Sequence, residues 1–239
     1  MKEARYPLRI NKYLALRNYG SRREADELIK RGLVKINGKP AKLGDKVLES
    51  DLIEVNTRAK NKIKKLLYFA YNKPRGIVTH SPEKKMGQKS IRDVSDMPKS
   101  VFPVGRLDKS SQGLIILTND GRVTDKLLNP DYNHDKEYVV KVDKPLRPGF
   151  FSKASTGIDL GDYTSKPCKT KQLNPQTFSI TLTEGKKHQI RRMCDAFGYV
   201  ILNLQRVRIM NIKLGNLKPG QYRPIEGAEL EEFLEKLGL

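Results

Sequence analysis

A single carboxylate, Asp108, lies in the polar loop that opens the stretch GRLDKSSQGLIILTNDG, residues 105–121. Arg106 stands two residues before it, a run of small polar residues follows, and then comes an apolar segment. A loop carboxylate of this kind can close an Asx-turn or pair with a neighbouring base. It can also react, as a nucleophile, as a base or by stabilising positive charge. The pattern alone leaves these structural and chemical roles open.

The charge of the chain indicates the kind of molecule that such an acid would face. The 239 residues contain 47 Lys and Arg against 27 Asp and Glu, a net charge of +20. This excess goes beyond what solubility requires and indicates a polyanionic partner, with nucleic acid ahead of a membrane surface. No apolar run approaches the roughly 20 residues of a membrane span, and no apolar signal segment is evident. We therefore expect a cytoplasmic protein that binds nucleic acid.

Cysteine and histidine usage predicts no metal site. Cys168 and Cys194 are far apart and lack a companion ligand at metal-binding spacing, and His80, His134 and His188 are scattered along the chain. We therefore expect neither a disulfide nor a bound metal.

Half of the excess charge falls in residues 1–67, where 18 Lys and Arg face 8 Asp and Glu. This asymmetry predicts a separate binding unit. Within it, Ser21 and Glu24 have the spacing of a capping box and Gly32 supplies a stop, which predicts a helix over residues 22–31. A preceding helix, about residues 8–18, would pack against it. The stretch LVKINGKPA alternates apolar and polar residues around Asn-Gly, which indicates a strand, a turn and a second strand.

The stretch INKYLALRNYGSRREADELIKRGLVKINGKPAKLGDKV resembles the RNA-binding domain named after ribosomal protein S4. The resemblance implies a small α/β domain over residues 1–56. Residues 57–67 read as a basic linker that approaches the phosphate backbone. RNA docking is expected from six basic residues, namely Arg9, Lys12, Arg22, Arg23, Lys30 and Arg31. The alternative is that these charges only solvate the faces of helices.

Residues 68–239 are rich in predicted strands. Five segments end at turn residues, namely YFAYNKPRG, GLIILTNDG, KEYVVKVDKP, TFSITLTEG and RIMNIKLGNL. The segments GRVTDKLLNP and KKHQIRRMCDAFG read as helices between them, and EGAELEEFLEKLGL has apolar residues at helical spacing. Together they predict an α+β domain built on a mixed, mainly antiparallel sheet flanked by helices.

The loop around Asp108 is similar to the signature loop of RNA pseudouridine synthases of the RsuA/RluB/RluE/RluF family. Four further blocks support the resemblance in the expected order, namely NKPRG at 72–76, KEYVV at 136–140, EGKKHQIRRM at 184–193 and LKPGQYRP at 217–224. The segments PCKTK, RRMCDAFGY and RVRIMNI are most similar to the RluF group of this family. The resemblance covers nearly the whole chain and implies the pseudouridine synthase fold for residues 68–239.

The family converts uridine in RNA to pseudouridine, and the resemblance implies that reaction here. The bond from ribose to the ring nitrogen breaks, the uracil turns, and a bond to ring carbon 5 forms without a cofactor. The resemblance implies that Asp108 is the catalytic residue, by attack on the sugar or removal of a ribose proton, with Arg191 as its basic partner. It also implies that Tyr138 stacks on the flipped uracil and is a candidate for taking the proton from carbon 5.

The residues that accompany Asp108 have plainer explanations as well. Ile190 and Cys194 belong to an apolar helical stripe whose margin carries Arg191, so this arginine is expected to be half-buried. Tyr138 shares a strand face with two valines, a pattern typical of a core tyrosine. The residue pattern therefore leaves both of them open to a purely structural role.

Further side chains are expected to hold the RNA. Arg106 would brace the gap that an extruded base leaves, and the resemblance has Ile190 packing on the target base. Phosphate contacts or plain surface charge are the alternatives for four basic residues, namely Lys73, Arg75, Lys187 and Arg192. We expect His188 near the site because it neighbours Arg191.

Two other functions fit the composition. An RNA-binding assembly factor without turnover would carry the same charge, but it has no physical reason to keep Asp108, Tyr138 and Arg191 together. A hydrolase that releases uracil would normally use a second carboxylate, and no paired acid is evident. The favoured prediction is a monomeric enzyme, and the resemblance to the RluF group implies that it modifies a uridine in the peptidyl-transferase region of large-subunit ribosomal RNA. For the RluF group the resemblance implies a transfer-RNA anticodon uridine as a second substrate.

Overall fold

The N-terminal unit is a small α/β domain. The structure, a computed structural model, describes residues 6–17, 19–56, 65–80 and 87–239. The first elements are β1 (Leu8–Arg9), α1 (Ile10–Leu16), α2 (Arg22–Lys30), β2 (Val34–Ile36), β3 (Lys39–Pro40), β4 (Lys46–Val47) and β5 (Ile53–Val55). Strand β2 pairs antiparallel with β3 and β5, and β1 pairs with β4. The predicted strand, turn and strand around Asn-Gly are therefore confirmed.

Helix α2 forms where the capping signal predicts it. Ser21 Oγ accepts a hydrogen bond from the amide of Glu24, and the Glu24 carboxylate accepts one from the amide of Ser21. This satisfies two donors that a helix start leaves free. The helix ends at Lys30, and Gly32 beyond it has a φ of 68°. Helix α1 begins at Ile10, is shorter than predicted, and packs with α2 in a common apolar core.

The remainder of the chain is built on a nine-stranded sheet of described residues. Its strands are β6 (Tyr68–Lys73), β7 (Phe102–Val104), β8 (Gln112–Thr118), β9 (Lys136–Val142), β10 (Lys169–Asn174), β11 (Thr177–Leu182), β12 (Ile201–Ile209), β13 (Ile212–Lys213) and β14 (Tyr222–Pro224). The helices are α3 (Ile91–Val94), α4 (Gly121–Leu128), α5 (Pro148–Thr156), α6 (Gln189–Asp195) and α7 (Gly227–Leu237). The strand order is β10-β11-β9-β12-β8-β6-β14, with β13 on β12 and β7 on β8.

One parallel strand pair lies next to the loop that carries Asp108. Among the described strands, β8 and β12 are parallel, with Gln205 opposite Gln112 and Arg206 opposite Gly113, and the other pairs are antiparallel. The predicted α+β fold with a mixed, mainly antiparallel sheet is confirmed. Because β8 lies between β6 and β12, the loop at residues 105–111 is flanked by both strands.

Three apolar clusters fill this domain. One joins β9, β11 and β12 to α5 and α6, the second joins β6 and β8 to α4 and α7, and the third joins β6 and β8 to α3. Helix α6 buries Ile190, Met193 and Cys194, as the predicted stripe requires. The apolar stripe of α6 thus fixes the helix against the sheet and leaves its margin for charged residues.

The end of β12 differs from the prediction. The sequence pattern predicts one strand over RIMNIKLGNL, whereas β12 runs from Ile201 to Ile209 and the chain reverses at Met210 and Asn211 into β13. Met210 has a positive φ of 53° at this reversal. Apolar alternation continues through the turn because Ile209 and Ile212 pair across the two strands. For this reason the sequence pattern does not reveal the turn.

An ion pair links the N-terminal unit to the larger domain. Lys12 Nζ on α1 lies 2.8 Å from Asp125 Oδ1 on α4. Residues 57–64 of the predicted linker lie outside the described residues, and the domain limits at residues 56 and 68 stay predictions. A search of the described ranges finds no helix that combines the length and apolar character of a membrane span.

Candidate active site

The loop that carries Asp108 is fixed by hydrogen bonds on both sides of this residue. Thr79 Oγ1 accepts from the amide of Leu107 at 3.0 Å and donates to the carbonyl oxygen of the same residue at 2.9 Å. The amide of Ser111 donates to the carbonyl oxygen of Asp108 at 3.0 Å. The backbone that presents the carboxylate is therefore ordered without help from a ligand.

Lys73, at the end of β6, is buried beneath the same loop. Its Nζ donates to the carbonyl oxygens of Pro74, Asp108 and Ser111 at 3.0, 3.2 and 2.8 Å. These acceptors match the three protons of an ammonium group. Burial lowers the pKa of Lys73 to about 8, while Asp108 opposes the shift and Arg206 adds to it. The predicted phosphate contact at Lys73 is wrong, because the side chain is 0% exposed and its amine secures the loop.

Two basic side chains at the start of α6 face the carboxylate of Asp108. Arg191 Nε lies 4.0 Å from Oδ2, and His188 Nε2 lies 3.5 Å from Oδ1. The side chain of Asp108 is 39% exposed, so the acid stands at the wall of an open cleft rather than inside a closed cavity. Each carboxylate oxygen thus has its own nitrogen neighbour.

Arg191 is anchored to the loop by a second residue. Its Nη2 donates to Ser111 Oγ at 3.2 Å. Its Nε is buried and makes no hydrogen bond to any described residue. Leaving such a donor without a hydrogen bond costs roughly 1–3 kcal/mol, and the Asp108 carboxylate, 4.0 Å away, is the acid that faces it. The half-burial that the stripe predicts for Arg191 is confirmed, since its side chain is 28% exposed.

Tyr138 belongs to a row of residues that crosses four strands. It lies on β9 opposite Arg206 of β12, Arg206 lies opposite Gly113 of β8, and Gly113 lies opposite Lys73 of β6. We call these four residues the cross-strand row. The guanidinium carbon of Arg206 lies 6.0 Å from the centroid of the Tyr138 ring, within cation–π range. Tyr138 is half-buried and packs on the α6 core.

Arg206 is a member of this row that the sequence analysis missed. It is 4% exposed, and its Nε donates to the carbonyl oxygen of Leu114 at 2.7 Å. Gly113 has a φ of 110°, and a Cβ there would lie 2.3 Å from the carbonyl oxygen of Arg206. Close approach of β8 and β12 therefore requires glycine. No local pattern reveals Arg206 because its hydrogen-bond partner is 92 residues away in sequence.

Thr79 and Ser111 are further supporting residues that were missed. Thr79 is a buried threonine beyond the NKPRG turn, and Ser111 belongs to the polar run after Asp108. For Ser111 the signal was the small size and polarity of this run, which predicts a tight loop but does not show which residues the loop contacts.

An open cleft of about 600 Å³ lies beside Asp108. Within the described ranges, Asp108 is the only carboxylate that lines it, together with the basic Arg75, Arg106 and Lys109. Arg75 and Arg106 are exposed, and Arg75 also donates from Nη1 to the carbonyl oxygen of Leu202 at 3.1 Å. The predicted basic turn and the predicted brace therefore both border the cleft. The described lining of the cleft thus contains no pair of carboxylates like that of hydrolytic glycosidases.

Arg192 points to a different part of the molecule. Its Nη2 donates to the carbonyl oxygen of Leu160 at 2.6 Å, and the guanidinium pairs with Asp162. The guanidinium carbon lies 5.2 Å from the Tyr163 ring centroid. The expected phosphate contact is replaced by an anchor for the loop that precedes β10, because carboxylate, carbonyl and ring already surround the charge.

Lys187 and Ile190 occupy opposite environments. Lys187 is exposed just before α6, and its phosphate contact stays a prediction. Ile190 is 5% exposed and belongs to the apolar core of α6. The structure thus places Ile190 in the core next to Arg191, with little surface left for a base.

The predicted docking residues of the N-terminal unit fall into two groups: most are exposed, and one pairs with the larger domain. Those that are exposed are Arg9, Arg22, Arg23, Lys30 and Arg31. Lys30 pairs with Glu27 of the same helix at 2.7 Å. Lys12 is partly buried and pairs with Asp125 of the larger domain, which corrects its expected role: it contacts protein instead of standing free for RNA.

A basic cleft around one carboxylate, beside a separate basic domain, is the arrangement of an enzyme that acts on RNA. The family model described as "RNA pseudouridylate synthase" matches residues 67–196, and the model described as "S4 domain" matches residues 8–53. The chain is 42% identical over 229 residues to the "Dual-specificity RNA pseudouridine synthase RluF" of Salmonella typhi, covering 95% of this chain and 78% of that protein. It is 38% identical over 233 residues to the "Ribosomal large subunit pseudouridine synthase B" of Bacillus subtilis (strain 168), covering 94% and 95% of the two chains.

A solved structure agrees with these relatives. It is described as "Crystal structure of pseudouridylate synthase" and superposes with a TM-score of 0.69 at 30% identity, covering 96% of this chain and 99% of that one. The chain therefore belongs to the RNA pseudouridine synthase family. It is an isomerase that converts uridine in RNA to pseudouridine, and the resemblance found in the sequence is confirmed.

Proposed function

We propose that this enzyme modifies a uridine of large-subunit ribosomal RNA and that Asp108 is its catalytic residue. One observation carries the proposal. Asp108 is the single carboxylate lining the cleft in the described chain, and its Oδ2 faces the buried, unpaired Nε of Arg191. An acid on an ordered loop beside a cation suits a reaction in which positive charge develops on a sugar.

The chemistry assigned to Asp108 follows from that charge. Breaking the bond between ribose and ring nitrogen leaves the sugar electron-poor, and the carboxylate stabilises it, bonds to the anomeric carbon, or removes a ribose proton. The uracil turns, and ring carbon 5 bonds to the same sugar carbon. Carbon 5 then loses its proton, and the freed ring nitrogen gains one, so no external reagent is consumed. Tyr138, at the end of the cross-strand row, is our candidate for stacking on the uracil and taking that proton.

RNA is held by exposed cations around the cleft and by the N-terminal unit. We assign phosphate contacts to Arg75 and Lys187, and we assign Arg106 to the gap left by the extruded base. Arg75 and Arg106 line the cleft beside Asp108, which supports both assignments. The exposed arginines of α2 extend the contact away from the site.

The names of the relatives support the choice of RNA. One relative is named a ribosomal large subunit pseudouridine synthase, and another is named a dual-specificity RNA pseudouridine synthase. We propose a uridine in the peptidyl-transferase region of large-subunit ribosomal RNA as the first substrate. We propose a transfer-RNA anticodon uridine as the second.

Release of tritium tests both parts of the proposal. Large-subunit ribosomal RNA and transfer RNA, each carrying tritium at uracil carbon 5, are incubated separately with wild type, Asp108→Asn and Asp195→Asn. Asp195 is an exposed acid at the end of α6 and serves as the matched control. We expect wild type and Asp195→Asn to release label, and we expect the rate for Asp108→Asn to fall by at least about a thousandfold.

The outcomes separate chemistry from substrate choice. Equal release by wild type and Asp108→Asn would remove Asp108 from its catalytic role. Release from neither RNA by the wild type would overturn the proposed substrates, and mapping the modified nucleotide identifies the uridine when release occurs. Filter binding of the Asp108→Asn variant should stay within about twofold of wild type, because RNA affinity comes chiefly from Lys and Arg that contact phosphate.

A further inference from the structure

His188 approaches the proposed catalytic acid more closely than Arg191 does. Its Nε2 lies 3.5 Å from Asp108 Oδ1, and Arg191 Nε lies 4.0 Å from Oδ2. The ring of His188 is 49% exposed and lines the same cleft as Asp108. The carboxylate thus stands between two nitrogen groups, one for each oxygen.

The backbone places His188 there at a conformational cost. The residue has a φ of 53° and a ψ of 26°, the left-handed conformation, and directly precedes α6. Most side chains with a Cβ avoid this region, which glycine occupies readily and which asparagine, aspartate and histidine enter more often than other residues. Strain of this kind is often kept at functional sites, where the surrounding structure enforces it. The left-handed residue starts the helix with both His188 and Arg191 on the side of Asp108.

We propose that His188 is a positioning residue for Asp108, an inference that rests on the proposed function. Its Nε2–H donates to Oδ1 while Arg191 donates to Oδ2, and the pair fixes the rotation of the carboxylate toward the sugar. The present 3.5 Å is longer than the roughly 2.9 Å of an N–H···O bond. Such contacts commonly shorten when substrate fills a site. In the neutral ring this donor is present in the Nε2–H tautomer, and the charged ring carries it as well.

Three substitutions separate the side-chain contact from the backbone turn. Glutamine carries an amide nitrogen close to the position of Nε2 but has no special preference for the left-handed region. Asparagine tolerates that region well but is too short to reach Asp108. Leucine preserves bulk and has neither property. The variants are His188→Gln, His188→Asn and His188→Leu, each compared with wild type in steady-state tritium release and in RNA binding.

We expect the reach of the side chain to decide the rate. His188→Gln should keep kcat within about threefold of wild type, whereas His188→Asn and His188→Leu should lower kcat by about tenfold or more. KM and RNA affinity should change by less than about twofold in all three, since the contact acts on the acid and not on the RNA. Thermal unfolding of each variant is measured alongside.

The reverse order of activities overturns the inference. If His188→Asn retains wild-type kcat while His188→Gln loses it, His188 serves the backbone turn and not Asp108. Wild-type kcat in His188→Leu likewise excludes a positioning role. Asp108→Asn is assayed in parallel: if it stays active, the proposed function fails, whereas an inactive Asp108→Asn beside a fully active His188→Leu removes the role of His188 alone.

Discussion

Positive charge serves different purposes in the two parts of this molecule. In the N-terminal unit, Arg22, Arg23 and Arg31 are exposed on and beside α2. In the catalytic domain, Lys73 and Arg206 are buried and donate to backbone carbonyl oxygens. Exposed cations attract phosphate and are screened by salt, whereas buried cations order loops and carry a desolvation cost. Net charge therefore identifies an RNA-binding protein without saying which cations touch RNA.

Lys136 is a half-buried lysine beside the same arginine. Its Nζ donates to the carbonyl oxygen of His134 at 3.1 Å. Partial burial lowers the pKa of Lys136 to about 8, Arg206 adds to the shift, and Asp135 opposes it. Arg206 thus lowers the pKa of both the buried Lys73 and the half-buried Lys136. Carbonyl oxygens replace water around these cations, which offsets part of their desolvation.

The largest expected effect tests the packing that buries Arg206. In Gly113→Ala the new Cβ would meet the backbone of Arg206 at 2.3 Å and a φ of 110°. Backbone atoms cannot move aside cheaply, so we expect the free energy of unfolding to fall by more than about 3 kcal/mol. Urea unfolding measures the change. Gly121→Ala, which places its Cβ in open space, should stay within about 1 kcal/mol of wild type; an equally stable Gly113→Ala would contradict the close approach.

The exposed charge is tested by removing three arginines together. Arg22→Gln, Arg23→Gln and Arg31→Gln in one protein should weaken RNA binding about tenfold to a hundredfold at moderate salt. The slope of log affinity against log salt should become shallower by about two to three, because each lost phosphate contact removes roughly 0.9. Binding titrations between low and high salt provide the measurement.

A matched triple variant shows whether position matters. Lys153, Lys169 and Lys171 are exposed on α5 and on the edge strand β10, and replacing all three by Gln removes the same charge. An equal loss of affinity in this control would mean that overall charge, and not the N-terminal surface, governs docking.

We expect the buried Lys73, unlike an exposed lysine, to make the free energy of unfolding depend on pH. The pKa of Lys73 falls from 10.5 to about 8 on burial. Between these values the unfolded chain binds more protons than the folded one, so the contribution of Lys73 to the free energy of unfolding rises with pH. The stability difference between wild type and Lys73→Met should therefore grow from pH 8 to pH 10, by at most about 1.4 kcal/mol per pH unit. Unfolding by urea at several pH values checks this. The exposed Lys99→Met serves as control, and a flat difference for Lys73→Met would argue against its burial as a cation.

The smallest expected effect on stability concerns the ion pair between the N-terminal unit and the catalytic domain. Lys12 and Asp125 are 28% and 40% exposed, and their ion pair is 2.8 Å long. Partly exposed pairs contribute little, so a double-mutant cycle of Lys12→Ala and Asp125→Ala should give a coupling below about 1 kcal/mol. RNA affinity should fall less in Lys12→Ala than in the arginine triple variant. A larger loss from Lys12→Ala would return this residue to the docking surface.

Short-range signals explain what could be predicted. The capping box of α2 and the apolar stripe of α6 follow from residue spacing, because a helix repeats every 3.6 residues. The same stripe set the half-buried position of Arg191. The signature loop identified Asp108, which lines the cleft. The expected phosphate contacts of Lys73 and Arg192 were wrong because the sequence does not show whether a basic side chain faces solvent or acceptors of the protein.

By itself, the sequence determined the two-part organisation, the RNA-directed charge, five of the seven described α-helices and the family; helices α3 and α5 were not predicted. Only the tertiary structure decided which cations are free. The register of β6, β8, β12 and β9 aligned Lys73, Gly113, Arg206 and Tyr138 in one row. The physical reason is that strand register depends on hydrogen bonds between distant segments, and a local pattern carries no information about the partner strand.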